Sequence, residues 1–235
     1  MPVLKPNGQV RLCGDYKCTV NQAINREIYP MPTVEEMFSK LAGSALFCKI
    51  DLSQAFQQLI LDDSSQELVT VNTSKGLFRV TRLVYGISSS PAIFQREMDN
   101  LLSGIPGVVY FIDDVLISAS TTEQLKERLH ETLARLARAG LRAQREKCVF
   151  GQTEVTYLGY RIDKDGLHPT DDKVSAIVSA PEPTNVTQLR QFIGLIMYYA
   201  RFIENYAQLL GPLYDLLRCA EMIDAVLFQE LLELL

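Results

Sequence analysis

The stretch that most constrains this chain is Val108-Val109-Tyr110-Phe111-Ile112-Asp113-Asp114-Val115-Leu116-Ile117-Ser118, where two adjacent carboxylates interrupt an apolar, β-branched run. Short runs of that composition form buried strands, and a tight hairpin between them ordinarily turns through Asn-Gly or Asp-Gly. Here the expected turn carries two acids and no glycine. Carboxylates a few Å apart in a poorly solvated cleft repel one another, and a hard divalent cation such as Mg2+ or Mn2+ relieves the conflict. A solvated turn tolerates the same pair, so the two acids alone leave both readings open.

A third acid narrows them. In Ala45-Leu46-Phe47-Cys48-Lys49-Ile50-Asp51-Leu52, Asp51 closes another short apolar run, and Ser53-Gln54-Ala55-Phe56 then breaks the strand pattern. Three carboxylates at strand ends can meet. Two-metal phosphoryl transfer uses such a set, with cations roughly 3.5–4 Å apart serving the attacking and leaving oxygens.

These residues also resemble a known family. Phe111-Ile112-Asp113-Asp114 is similar to the aromatic-x-Asp-Asp motif of reverse transcriptases, and Lys49 to Phe56 resembles the motif bearing their first catalytic aspartate. Between them, Leu83-Val84-Tyr85-Gly86-Ile87-Ser88-Ser89-Ser90-Pro91-Ala92-Ile93-Phe94-Gln95 resembles the segment bordering the incoming nucleotide and template. Upstream, Lys5-Pro6-Asn7-Gly8 with Arg11 to Lys17 resembles the fingers, and Tyr157-Leu158-Gly159-Tyr160 resembles the primer grip. The motifs stand in the family's order, and the nearest likeness is to the polymerase of gypsy-like long-terminal-repeat retrotransposons.

The resemblance implies an α+β right-hand polymerase. Residues 1–150 would form partial fingers and a palm whose antiparallel sheet is backed by helices. Residues 151–218 would form the primer grip and a thumb- or connection-like region, and 219–235 an atypical acidic, Leu-rich tail. It implies RNA-directed DNA polymerisation on an RNA or DNA template and primer from deoxynucleoside triphosphates, with two Mg2+ or Mn2+ ions on Asp51, Asp113 and Asp114. Asp114 would be the more dispensable ligand. Lys5, Arg11, Phe56, Tyr85, Gly86 and Gln95 would bind the nucleotide, with Phe56 abutting the sugar, and Leu158, Gly159 and Tyr160 would grip the primer. Protease, ribonuclease H and integrase motifs are not in this sequence and would be partners encoded elsewhere. Phe111 and Tyr85 depart from the commoner residues at their positions. The chain opens inside the fingers motif and closes on the Leu-rich tail, which reads as truncation at both ends. A remnant that binds nucleic acid or protein without polymerising is the alternative.

Composition bounds the rest. The formal charge of −5 is the wrong sign for a protein gripping a polyanion, but it lies wholly in residues 204–235; residues 1–203 sum to zero. Lys126 to Lys147 holds seven bases against three acids, a phosphate-tracking surface or a solvated helix face. Five cysteines without Cys-x-x-Cys spacing argue against a zinc site or disulfide framework. With no long apolar run and no basic-then-apolar leader, an intracellular, cytoplasmic protein is expected, neither secreted nor membrane-bound.

Locally, Thr33-Val34-Glu35-Glu36 has capping-box form, Ser90-Pro91 should start a helix, and Thr121 or Thr122 should cap another carrying Leu125, Leu129, Leu133 and Leu136. Strands are expected over 67–71 and 77–83 around a Ser74-Lys75-Gly76 turn, and Asp62-Asp63 reads as a polar loop. Asn185-Val186-Thr187 should start a helix, over 189–203, whose aromatics are core residues.

Overall fold

The computed structural model of this chain describes residues 2–4, 8 and 10–219, so Lys5 and the tail beyond 219 lie outside the described residues. It divides into two compact units, residues 1–155 with 163–165, and residues 156–162 with 166–235.

The first unit opens with a hairpin of β1 (Pro2–Leu4) and β2 (Val10–Leu12), followed by the short helices α1 (Val20–Ala23) and α2 (Val34–Ser39). The capping box expected at Thr33 is present: its side chain accepts from Glu36 N, and the Glu36 carboxylate accepts from Thr33 N. Then come β3 (Leu46–Asp51), a 3₁₀ turn (Ala55–Gln58), α3 (Asp63–Leu68) and a hairpin of β4 (Val71–Thr73) and β5 (Gly76–Phe78). Helix α4 (Ser90–Leu102) leads to β6 (Val108–Phe111) and β7 (Asp114–Ala119), and α5 (Thr122–Arg138) to the edge strand β8 (Val149–Gln152).

Sheet order is β6-β7-β3-β8. Strand alternation sorts its central residues onto two faces. Cys48, Ile50 and Leu52 of the β3 segment and Val115, Ile117 and Ala119 of β7 share one core with Phe94, Met98 and Leu102 of α4 and Leu125 and Leu136 of α5. Helices therefore cover that face. Burying one such aliphatic side chain stabilises by roughly 1.5–3 kcal/mol. Lys49, Asp51, Asp114 and Leu116 fall on the other face, because Asp51 pairs with Asp114 and Lys49 with Leu116 in the antiparallel register.

Three local expectations change. Residues 67 and 68 end α3 instead of starting a strand, because Asp62 is a helix cap: its side chain accepts from Ser65 N, Ser64 Oγ and Ser65 Oγ. The second strand stops at Phe78, with Arg82 joined to Ile60 by an isolated bridge. On α5, capped by Thr121, Leu125 and Leu136 are buried but Leu133 is 40% exposed.

The second unit carries a three-stranded sheet in the order β11-β10-β9, from β9 (Val155–Tyr157), β10 (Tyr160–Asp163) and β11 (Gly166–Pro169). Helices α6 (Asp171–Val178), α7 (Val186–Tyr199) and α8 (Tyr206–Cys219) follow. Asn185 caps α7 by accepting from Gln188 N, as expected. Leu189, Phe192, Ile193 and Ile196 pack with Leu210 and Leu213 of α8. Tyr198 departs from the expected aromatic core, being 53% exposed. Among the described residues, no helix is long and apolar enough to cross a membrane.

Candidate active site

The hairpin between β6 and β7 turns on Ile112 and Asp113, since Phe111 pairs with Asp114. Asp114 is thus the first residue of β7 and not a second turn residue. Ile112 has φ +55, the positive φ at the first loop position that type II′ turns place there. A β-branched residue pays a steric penalty in that region, and the surroundings hold it there. Gln95 Oε1 accepts from Ile112 N at 2.9 Å, and Asp113 O accepts from Leu52 N at 3.0 Å. The latter bond ties the turn to the end of β3.

Asp51 and Asp114 are direct cross-strand partners, with Asp113 next to both. The Asp113 carboxyl is raised above its ordinary range, first by burial and then by the charges of Asp114 and Asp51, against a backbone hydrogen bond and Lys147 that lower it. The other two acids hold lysines. Lys49 Nζ lies 3.2 Å from Asp114 Oδ1, and Lys147 Nζ lies 3.3 Å from both carboxylate oxygens of Asp51. Lys147 follows a 142–144 segment that extends the sheet past β3: Leu52 bridges Ala143, Gln144 N donates to Asp51 O at 2.8 Å, and Ser53 N to Arg142 O at 2.9 Å. Asp51, Tyr85, Asp113, Gln144 and Lys147 line a cavity of about 420 Å³.

Hard carboxylate oxygens of this kind suit Mg2+ or Mn2+. As the side chains stand, no group of three or more His, Cys, Asp or Glu among the described residues is arranged to hold an ion. The Lys49 and Lys147 ammonium groups give Asp114 and Asp51 counter-charges. The oxygen donors suit a divalent cation in kind, and holding one would require these side chains to rearrange.

The other sequence-selected residues scatter. Phe56 is buried in the core, its ring 5.0 Å from Tyr85 and 5.6 Å from Phe94. Gly86 has φ +104, and a Cβ there would come 2.2 Å from Gly14 O, so its close approach serves the 14–16 backbone. Asn21 reinforces the join, donating to Gly86 O at 2.8 Å and accepting from Ser88 N at 2.9 Å. Gln95, expected against the nucleotide, is completely buried, and its carboxamide is committed to the hairpin. Arg11 lies in β2, paired with Val3; its side chain and Lys5 lie outside the described residues. Leu158 and Gly159, φ +49 and +79, form the two-residue turn between β9 and β10 in the second unit, the double positive φ of a type I′ hairpin. There Gly159 O accepts from Lys173 Nζ at 2.9 Å and Tyr160 OH bonds Tyr198 OH at 3.0 Å.

Sequence reasoning missed Lys49 and Lys147 at the acids. The signal for Lys49 was its period-two spacing from Asp51; Lys147 has no local signal. Two bases of the 126–147 cluster turn inward: Arg128 Nη1 donates to Ser118 O at 2.5 Å, and Arg135 pairs with Glu131 and donates to Leu101 O and Ser103 O.

The chain is similar to known proteins in sequence and in fold. The family model described as reverse transcriptase (RNA-dependent DNA polymerase) matches residues 3–162. The chain is similar to Uncharacterized protein K02A2.6 of Caenorhabditis elegans, 37% identical over 205 residues, covering 87% of this chain and 16% of that protein. It is also similar to Transposon Tf2-3 polyprotein of Schizosaccharomyces pombe, 31% identical over 220 residues, 93% of this chain and again 16% of that protein. Among solved structures, the foamy viral protease-reverse transcriptase dRH in complex with double-stranded DNA aligns at TM-score 0.84 and 27% identity, over 99% of this chain and 41% of that one. The same viral protein in complex with an RNA/DNA hybrid aligns at TM-score 0.76 and 26% identity, over 99% of this chain and 32% of that one. With the α+β architecture and the acid-bearing hairpin in place, the chain belongs to the reverse transcriptase (RNA-dependent DNA polymerase) family.

Proposed function

We propose that this chain is the polymerising part of a retrotransposon Pol polyprotein, adding deoxynucleotides to a primer 3′-hydroxyl on an RNA or DNA template. The observation that carries the reading is the cross-strand pairing of Asp51 with Asp114 on the sheet face away from α4 and α5, with Asp51 and Asp113 both lining the cavity. Residues 1–150 serve as partial fingers and palm, and 151–218 as primer grip and thumb- or connection-like region. The duplexes bound by the similar viral protein indicate the substrate class.

In this mechanism Asp51 and Asp113 would be the principal ligands of two divalent cations, with Asp114 in support. Such cations would supply charge neutralisation for the triphosphate and acidify the attacking hydroxyl. Lys49 and Lys147 pair with Asp114 and Asp51 and would have to release them for a cation to be held. Phe56 abuts the sugar, where a rigid aromatic ring disfavours a 2′-hydroxyl, and Tyr85, its ring 5.0 Å away, lies under the nucleotide. Gly86 lies beneath the nucleotide, while Lys5 and Arg11 contact phosphate oxygens, Arg as a planar fork and Lys as a point charge. Leu158, Gly159 and Tyr160 contact the primer. No side chain acts as nucleophile.

Primer extension tests the reading. Mg2+-dependent elongation of a DNA primer on an RNA template is expected from the wild-type chain and not from Asp51→Asn. Folded wild-type protein that binds the duplex without extending it would favour a binding module instead.

A further inference from the structure

Gln95 can hold Ile112 only if its carboxamide points the right way, and the structure contains a device that orients it. Asp99 follows one turn later on α4. Its Oδ2 accepts from Tyr29 OH at 2.5 Å and its Oδ1 from Gln95 Nε2 at 3.4 Å. Asp99 also acts on the Tyr110 hydroxyl, helping to raise it above its ordinary range, and Tyr110 O accepts from Gln95 Nε2 at 3.5 Å. An ionised carboxylate and a backbone carbonyl only accept, whereas a carboxamide donates from nitrogen and accepts at oxygen. Both acceptors therefore draw the Gln95 nitrogen, which leaves its oxygen for Ile112 N. At 3.4 and 3.5 Å neither contact is strong alone, so the orientation depends on their sum.

We propose that Asp99 is a positioning residue that fixes the Gln95 carboxamide and, through it, the strained Ile112 turn that presents Asp113 and Asp114. Segment 27–29 braces it from outside. Arg96 pairs with Glu27, Glu27 N donates to Ser89 Oγ at 3.1 Å, and Tyr29 closes on Asp99 itself. The Tyr29 hydroxyl is raised above its ordinary range, first by its bond to Asp99 and then by burial, and Tyr110 is raised by burial first and by Asp99 next. Both hydroxyls thus stay protonated as donors at neutral pH. The geometric claim stands on its own; its consequence for turnover rests on the polymerase reading.

The test is residue-resolved amide hydrogen exchange on the full chain without substrate, comparing wild type, Asp99→Ala and Asp99→Asn. Alanine suits a half-buried helix position, and asparagine keeps a carbonyl acceptor for Gln95. Ile112 N–H is expected to exchange about tenfold faster in Asp99→Ala, the scale of one lost hydrogen bond, while the β6–β7 ladder amides stay protected and Asp99→Asn restores the wild-type rate. In primer extension Asp99→Ala should lower kcat about tenfold with nucleotide KM within about twofold. Unchanged Ile112 exchange in Asp99→Ala would overturn the proposal. Should the ladder loosen as well, Gln95→Met decides. Ile112 exchange equal in Gln95→Met and in the double variant supports action through Gln95, and additive effects overturn it. A wild type that fails to extend primers while the exchange pattern holds would sink the polymerase reading and leave this one standing.

Discussion

Gln95 Oε1 receives the Ile112 amide at 2.9 Å, and the residue so held is a β-branched side chain at φ +55. The bond links the middle of α4 to the turn that carries Asp113. Replacing Gln95 with Leu keeps the volume and leaves a half-buried N–H without its partner, which costs about 1–3 kcal/mol. Chemical denaturation should read a loss in that range. A change below about 0.5 kcal/mol would mean that water satisfies Ile112 N as well as Gln95 does.

Lysine withdrawal is measurable apart from catalysis. Removing the Asp51 counter-charge with Lys147→Met should tighten Mn2+ binding by a few fold, since partly exposed pairs of this kind are worth roughly 0–1 kcal/mol. Lys49→Met should act in the same direction at Asp114. Mn2+ titration followed by electron paramagnetic resonance reads both, and weaker binding in either variant would contradict the role given to that lysine.

The sheet depends on the layer beneath it. Phe94 is fully buried between α4 and the strands and packs against Phe56. Phe94→Ala should cost about 3–5 kcal/mol. Thermal unfolding monitored in the first unit checks this, and a loss under 1 kcal/mol would place Phe94 outside the core.

Much of this fold was legible in the sequence and some was not, for physical reasons. The strands around Asp51 and Asp113 announce themselves because apolar runs have one use in a buried sheet, and caps at Thr33, Thr121 and Asn185 are local chemistry within one helical turn. Helix α3 escaped because Asp62, Ser64 and Ser65 have the composition of a loop; the same side chains satisfy the first amides of a helix. The bond from Ile112 to Gln95 and the pairing of Lys147 with Asp51 were not legible because the partners lie 17 and 96 residues apart. No local spacing encodes such a contact. Gly86 showed a need for close approach but not which backbone would make it.

The cap at Asp62 gives a pH dependence with a definite sign. Bonds from Ser64, Ser65 N and Ser65 Oγ hold its carboxyl well below the usual carboxylate range. A depressed folded value contributes stability above the unfolded value of about 3.9, which is lost as pH falls through the folded value. Protection factors of the amides across residues 63–68, corrected for the intrinsic pH dependence of exchange, should therefore fall on acidification below about pH 4, and Asp62→Asn should flatten that dependence. Protection factors in the wild type that do not change with acid would contradict the role of the cap.

The proposed metal-dependent nucleotidyl-transfer centre rests on Asp51, Asp113 and Asp114. Its most direct measurement is Mg2+-dependent extension of a DNA primer on an RNA template by the wild-type chain and by Asp113→Asn, with folding of both verified by circular dichroism. Extension is expected from the wild type, with a loss of at least a thousandfold in Asp113→Asn, on the scale of removing several kcal/mol of charge stabilisation from the transition state. Equal extension by both proteins would contradict it.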